Sequence, residues 1–132
     1  MEKKCPYCFG RTVVAGYDET VSRVRDVLQE EGFGILTEID VRAKLKEKLQ
    51  VDFRPYIILG ACNPKLAHQA LNAEIDLGTL LPCNVVVYVD DEGRTTVMAM
   101  DPVNALGMVD NPALEPIAAR VREKIARALE QL

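Results

Sequence analysis

The chain has 132 residues, 48% of them hydrophobic and 27% charged, which is the composition of a globular protein large enough for one domain. Its 16 basic and 20 acidic residues give a net charge of -4 and are mixed along the chain, so it lacks the basic stripe needed to bind a nucleic-acid backbone. No apolar run approaches the roughly 20 residues of a membrane span, and none resembles a secretory signal, so we expect a cytoplasmic protein without nucleic-acid or membrane partners.

The first half of the chain predicts three strands separated by helices. Residues 9–15 form a short β-branched segment that is typical of a strand. Asp18 is the expected N-cap of a helix whose apolar positions recur at helical spacing, and Gly32 is expected to end that helix. The next predicted elements are a strand, a solvated helix and a strand at residues 34–40, 41–49 and 56–61.

The second half predicts a helix, a hairpin and two further helices. Asn63 and Pro64 fit the N-cap and first position of a helix to about residue 71, because proline's fixed φ and missing N–H suit that position. Residues 84–90 and 95–101 flank a turn and predict an antiparallel hairpin. A short helix and a final helix with a continuous apolar stripe follow. This order predicts an α+β domain with a largely antiparallel sheet of about five strands, covered by helices on one face.

Two cysteines stand at the ends of predicted strands. Cys62 ends the third strand just before the N-terminus of a helix, where the helix dipole can lower a thiol's pKa. Cys83 begins the next strand, and if that strand runs antiparallel to the third, the two thiols share one rim of the sheet. The alternative is that both are small buried hydrophobes that pack separately in the core.

His68 is the only histidine, and it lies about one turn into the helix that begins at Pro64. If it faces the same rim, its imidazole is a candidate base for Cys62, or a third ligand beside Cys62 and Cys83 for zinc or Cu(I). The alternative is a solvated surface residue. The spacing of the two cysteines matches no metal signature, and the chain has no glycine-rich phosphate loop and no nucleophile elbow.

Cys5 and Cys8 form a separate C-x-x-C motif, spelled like the glutaredoxin dithiol, and such a pair is a redox group or half of a zinc site. In glutaredoxins a strand precedes the motif and a helix begins at it, whereas here a strand is expected to follow. The alternative is an irregular terminus. We therefore separate an N-terminal segment, residues 1–8, from a single α+β domain, residues 9–132.

Four sequence blocks occur in order along the chain: residues 32–41 (GFGILTEIDV), 58–64 (ILGACNP) followed by Ala67 and His68, 80–88 (LLPCNVVVY), and 100–102 (MDP). From about Phe9 onward the chain thereby resembles the domain-of-unknown-function-302 family of small prokaryotic proteins. The resemblance implies an α+β fold with a curved antiparallel sheet, similar to the TATA-binding-protein-like group, and a homodimer. It implies no activity, and the Cys5 to Cys8 motif lies outside it.

Three functions are compatible with these residues. The favoured one is a binding or sensing module in which Cys62, His68 and Cys83 hold a soft metal ion, such as zinc or copper, or a thiol-reactive small ligand. The second is a thiol-dependent redox or sulfur-transfer enzyme, with Cys62 as nucleophile, His68 as base and Cys83 as resolving thiol. The third is a dimeric structural or interaction protein in which these cysteines belong to the core.

Overall fold

The computed structural model describes residues 2–132. Its strands are β1 (Glu2–Cys5), β2 (Cys8–Val13), β3 (Gly34–Asp40), β4 (Tyr56–Cys62), β5 (Cys83–Val89) and β6 (Thr95–Met100). They form a sheet in the order β1-β2-β6-β5-β4-β3, and every pairing is antiparallel. The predicted α+β class and antiparallel sheet are confirmed, with one strand more than expected.

The helices follow the predicted order along the chain. They are α1 (Tyr17–Glu30), α2 (Val41–Leu49), α3 (Pro64–Ala73), α4 (Pro102–Gly107) and α5 (Glu115–Glu130), with short 3-10 turns at Ile75–Leu80 and Pro112–Leu114. Asn63 caps α3 as predicted, since its Oδ1 accepts a hydrogen bond of 3.2 Å from the backbone N–H of Leu66. None of the helices in residues 2–132 is long and apolar enough to cross a lipid bilayer.

The additional strand, β1, comes from the N-terminal segment. It pairs with β2 around a turn at Pro6 and Tyr7, and Cys5 and Cys8 face each other across that turn as a disulfide. The segment Glu2–Cys5 contains no β-branched or aromatic residue, so strand propensity does not predict a strand here. The segment therefore extends the sheet by one edge strand rather than remaining irregular.

The ends of α1 show one wrong prediction and one confirmed prediction. The N-cap is Gly16 rather than Asp18, which lies in the first turn, where the helix dipole favours its carboxylate. Gly32 ends the helix as predicted, with a φ of 87° that favours glycine. The backbone N–H of Phe33 donates to the carbonyl of Leu28 at 2.9 Å, and both side chains are buried in the same cluster.

Two apolar clusters make up the core. In the larger, α1 and α5 pack on one face of the sheet, where alternate residues of β4, β5 and β6 such as Leu59, Val85 and Val97 are fully buried. The smaller cluster joins α3, α4 and α5 beyond the end of the sheet, through Leu77 and Leu106 among others. Burial of a side chain of this size contributes about 1.5–3 kcal/mol, so these clusters fix how the helices meet the strand ends.

The other face of the sheet carries half-buried side chains on β4, β5 and β6. We call it the open face, and it comprises the outward side chains Tyr56, Ile58, Val86, Tyr88 and Met98. The rings of Tyr56 and Tyr88 stack across β4 and β5 with centroids 5.3 Å apart. This face therefore presents half-buried apolar and aromatic side chains.

Candidate binding cavity

Cys62 and Cys83 lie at the same end of the sheet. The antiparallel register of β4 and β5 places Ala61 opposite Cys83, so the end of one strand lies beside the start of the other. The predicted proximity of the two thiols follows from this register. Both cysteines line one cavity of about 300 Å³, with Cys83 buried and Cys62 half-buried.

The cavity lies where the two core clusters meet. Its wall combines residues from the sheet end, from α3, from α4 and from α5; the helical residues are Leu66, Ala67, Ala70, Leu71, Pro102, Leu106, Ile117 and Val121. No charged side chain is among the lining residues. The amide of Asn63 lines the wall, and its oxygen is already engaged by the N-terminus of α3. The cavity is thus an apolar space with two thiols in its wall.

A β-bulge shapes the mouth of the cavity. The β3 register shifts between Ile35 and Thr37, which leaves Leu36 without a direct partner on β4. Bulges redirect side chains in this way and are frequent beside functional sites. Leu36 lines the cavity although it is 66% exposed, so it lies where the cavity opens to solvent.

Close packing at Gly60 fixes the end of β4 that borders the cavity. A Cβ atom at this position would collide with Oγ1 of Thr37 and lie 2.6 Å from Cγ of Pro82. Gly60 therefore lets the bulged strand β3 and the residue preceding Cys83 pack directly against the β4 backbone. Pro82 and Cys83 both line the cavity, so this packing sets the position of its wall.

Burial determines the protonation of both thiols. Desolvation raises the pKa of Cys62, and it raises the pKa of Cys83 to about 11, with a smaller contribution from the neighbouring Cys62. The direction at Cys62 is opposite to the one expected from its place before the α3 N-terminus, because loss of water around a thiolate opposes ionisation. Both residues are therefore thiols at neutral pH.

His68 is not among the residues that line the cavity. It lies exposed on α3, and its Nε2 is 3.4 Å from Nδ2 of Asn72. Within residues 2–132 no group of three or more His, Cys, Asp or Glu side chains is placed to hold a metal ion. Cys5 and Cys8 lie at the β1–β2 turn and form a disulfide with each other. Strands β6 and β5 separate β2 from β4, the strand that ends at Cys62.

Most of the wall residues were not singled out from the sequence. Phe33, Leu106 and Val121 are ordinary apolar residues of predicted elements, and nothing local distinguishes a cavity wall from a filled core. Leu36 is different, because Ile35 and Leu36 are consecutive apolar residues in a strand that otherwise alternates. That break in alternation is a signal of the bulge.

Comparison with known proteins places this architecture in a family. The family model described as "Domain of unknown function DUF302" matches residues 9–132. The crystal structure of an uncharacterized conserved DUF302 protein from Bacillus stearothermophilus is 37% identical, with a TM-score of 0.88 over 95% of this chain and 97% of that chain. A search among proteins with curated functions found no match. The chain belongs to the DUF302 family, whose α+β fold it shares and whose description assigns no activity.

Proposed function

We propose that this protein is a binding or sensing module that holds a small, uncharged, apolar molecule in the cavity between the sheet end and α3, α4 and α5. The observation behind this proposal is the cavity itself: about 300 Å³, lined without any charged side chain, with Cys62 and Cys83 in its wall. This volume is at the lower end of the range of small-molecule sites. The thiol of Cys62, half-buried in the wall, is the group that would contact or react with a soft electrophilic ligand.

The lining defines the ligand's polarity. A charged group would lose its hydration in the cavity without gaining an ionic partner, which costs several kcal/mol. The amide oxygen of Asn63 is engaged with α3, so the lining offers few free polar atoms for recognition. An apolar ligand gains about 25 cal/mol for each Å² that it removes from water. The cavity therefore favours apolar ligands.

The same geometry favours a small ligand over a metal ion or a catalytic thiol. Zinc and Cu(I) usually take three or four protein ligands, whereas Cys62 and Cys83 line the cavity and His68 lies elsewhere on α3. A nucleophilic cysteine needs a thiolate or an adjacent base, whereas burial raises the pKa of Cys62 and the candidate base His68 does not line the cavity.

Binding of the fluorescent dye N-phenyl-1-naphthylamine tests this proposal. The dye is apolar and brightens when it leaves water, so a saturable titration measures occupancy of the cavity. Ala67→Phe places an aromatic ring in the wall and is expected to abolish saturable binding. The matched control is Gln69→Phe, two residues away on the exposed side of the same helix, which should bind like the parent protein. Equal binding by both variants would show that the dye binds elsewhere.

We also propose that the protein forms a homodimer through the open face. The side of the sheet that carries the open face spans the five strands β2 to β6, and strands about 4.8 Å apart with six or seven residues at about 3.3 Å each give it a footprint of about 500 Å². Two copies would bury about 1,000 Å², which is where specific interfaces begin. The stacked Tyr56 and Tyr88 rings provide the aromatic centre that such interfaces favour.

Sedimentation velocity tests the dimer. Val86→Lys places a charge in the middle of the open face and should shift the protein to a monomer at tens of micromolar. Val103→Lys adds the same charge at a residue of α4 that is 46% exposed, and should leave the dimer intact. A parent protein that sediments as a monomer would refute this second proposal without affecting the first.

A further inference from the structure

The Cys5–Cys8 disulfide closes an accessible turn. Both cysteines are half-buried, and the two residues between them, Pro6 and Tyr7, are exposed, Tyr7 by 66%. Exposed disulfides are the ones that exchange readily with external thiols, in contrast to buried structural bridges. The family model begins at Phe9, so this turn is an element added in front of the family domain.

The turn is hydrogen-bonded to the start of a helix that lines the cavity. The backbone N–H of Asp101 donates to the carbonyl of Tyr7 at 2.9 Å. The side chain of Asp101 caps α4 by accepting from the N–H of Val103 at 3.0 Å. The first residue of α4, Pro102, and Leu106 one turn later both line the cavity. One residue, Asp101, thus joins the disulfide turn to the cavity wall.

A side-chain contact runs beside this backbone link. Nε of Arg122 donates to Oδ2 of Asp101 at 3.1 Å. The guanidinium carbon of Arg122 also lies 4.5 Å from the centre of the Phe9 ring, and Phe9 directly follows Cys8. Val121, the neighbour of Arg122 on α5, lines the cavity. The β1–β2 hairpin is therefore attached to both α4 and α5, the two helices that Asp101 contacts.

We propose that Cys5 and Cys8 form a reversible redox site, and that its state controls ligand binding in the cavity through Tyr7, Asp101 and α4. This inference rests on the binding function proposed above. The disulfide restricts the turn and holds the Tyr7 carbonyl against Asp101. Reduction frees the turn, weakens that hydrogen bond and loosens the cap of α4, so the oxidised protein binds the ligand more tightly.

The redox step needs only a dithiol as co-reactant. A thiolate of that dithiol attacks one sulfur of the Cys5–Cys8 bond, which breaks and leaves a mixed disulfide. The second thiol of the reagent then attacks the mixed disulfide and releases the protein's second thiol. Cys5 and Cys8 together gain two electrons and two protons, and the reagent loses them as it becomes a disulfide.

Dye binding at defined redox poise tests this inference. The full-length protein is equilibrated with reduced or oxidised dithiothreitol, its state is verified by mass spectrometry, and N-phenyl-1-naphthylamine is titrated into each form. We expect the reduced form to bind about fivefold more weakly, which is a typical size for coupling between two sites. The Cys5→Ser, Cys8→Ser double variant should bind like the reduced protein under both conditions, which controls for effects of the reagent at Cys62 and Cys83.

Hydrogen exchange locates the coupling independently. Reduction should speed exchange of the amides of Asp101 and Ala105, which donate to Tyr7 and to the Asp101 carbonyl.

Equal dye affinity in the two redox forms would overturn the redox inference alone, because binding itself would persist. Loss of dye binding from both forms would overturn the proposed function and this inference with it. A change in affinity without faster exchange at Asp101 would overturn the path through α4.

Discussion

The buried thiol of Cys83 makes a quantitative prediction about stability at alkaline pH. Its pKa is raised from 9.0 to about 11 in the native protein, chiefly by desolvation. Between these values the thiol ionises in the unfolded chain but stays protonated in the folded one. The stability that it contributes is therefore complete below pH 9 and is lost as the pH rises towards 11. One pKa unit corresponds to about 1.4 kcal/mol.

The expected loss follows from the two pKa values. At pH 8 the effect is negligible, at pH 10 the free energy of unfolding falls by about 1.4 kcal/mol, and above pH 11 the loss approaches about 2.7 kcal/mol. Cys83→Ala removes the ionisable group and adds a packing loss that does not depend on pH. Because other groups titrate alike in both proteins, the difference between their free energies of unfolding changes with pH only through Cys83.

Urea unfolding at pH 7, 8, 9 and 10 measures this difference. Both proteins are unfolded under reducing conditions, so that thiols of the unfolded chain do not exchange with Cys5 and Cys8. The stability advantage of the parent protein over Cys83→Ala should shrink by about 1.4 kcal/mol between pH 8 and pH 10. An advantage that stays constant over this range would refute the reasoning that Cys83 is a desolvated part of the cavity wall.

Two further substitutions test the elements that position the cavity. Asn63→Ala removes the cap of α3 and should lower the free energy of unfolding by about 1 kcal/mol, whereas Asn72→Ala, exposed on the same helix, should not; equal urea midpoints for the two would contradict the capping role. Gly60→Ala places a Cβ 2.6 Å from Pro82 and against Thr37 and should cost about 1–3 kcal/mol, while Gly107→Ala meets no atom within 4 Å. A thermal midpoint for Gly60→Ala no lower than that of Gly107→Ala would refute the close packing at the strand end.

The parts of the fold that follow from local chemistry could be predicted from the sequence. Asn63 caps α3 as its side chain suggested, and the β5–β6 hairpin forms as expected. Asp18 shows the limit of such signals, because a carboxylate is favourable both as an N-cap and in the first turn of a helix. Gly16, two positions before Asp18, is the N-cap instead.

The parts that depend on packing between distant segments could not be predicted. β1 has a polar sequence and becomes a strand through pairing with β2. The cavity arises where the end of the sheet meets α3, α4 and α5, and the raised pKa values of the thiols follow from burial there. Each residue of a helix turns the side-chain direction by about 100°, so the position of His68 about one turn into α3 did not fix which way it faces, and it lies exposed.

Protection of Cys62 from alkylation tests the proposed binding cavity most directly. N-ethylmaleimide is added to the native protein with and without saturating N-phenyl-1-naphthylamine, and modification of each cysteine is followed by peptide mass spectrometry. Cys62 should react more slowly than a free model thiol, because its pKa is raised, and more slowly still when the dye is bound, while Cys83 stays unmodified until the protein is denatured. A rate at Cys62 that is unchanged by saturating dye would contradict the assignment of this cavity as the ligand site.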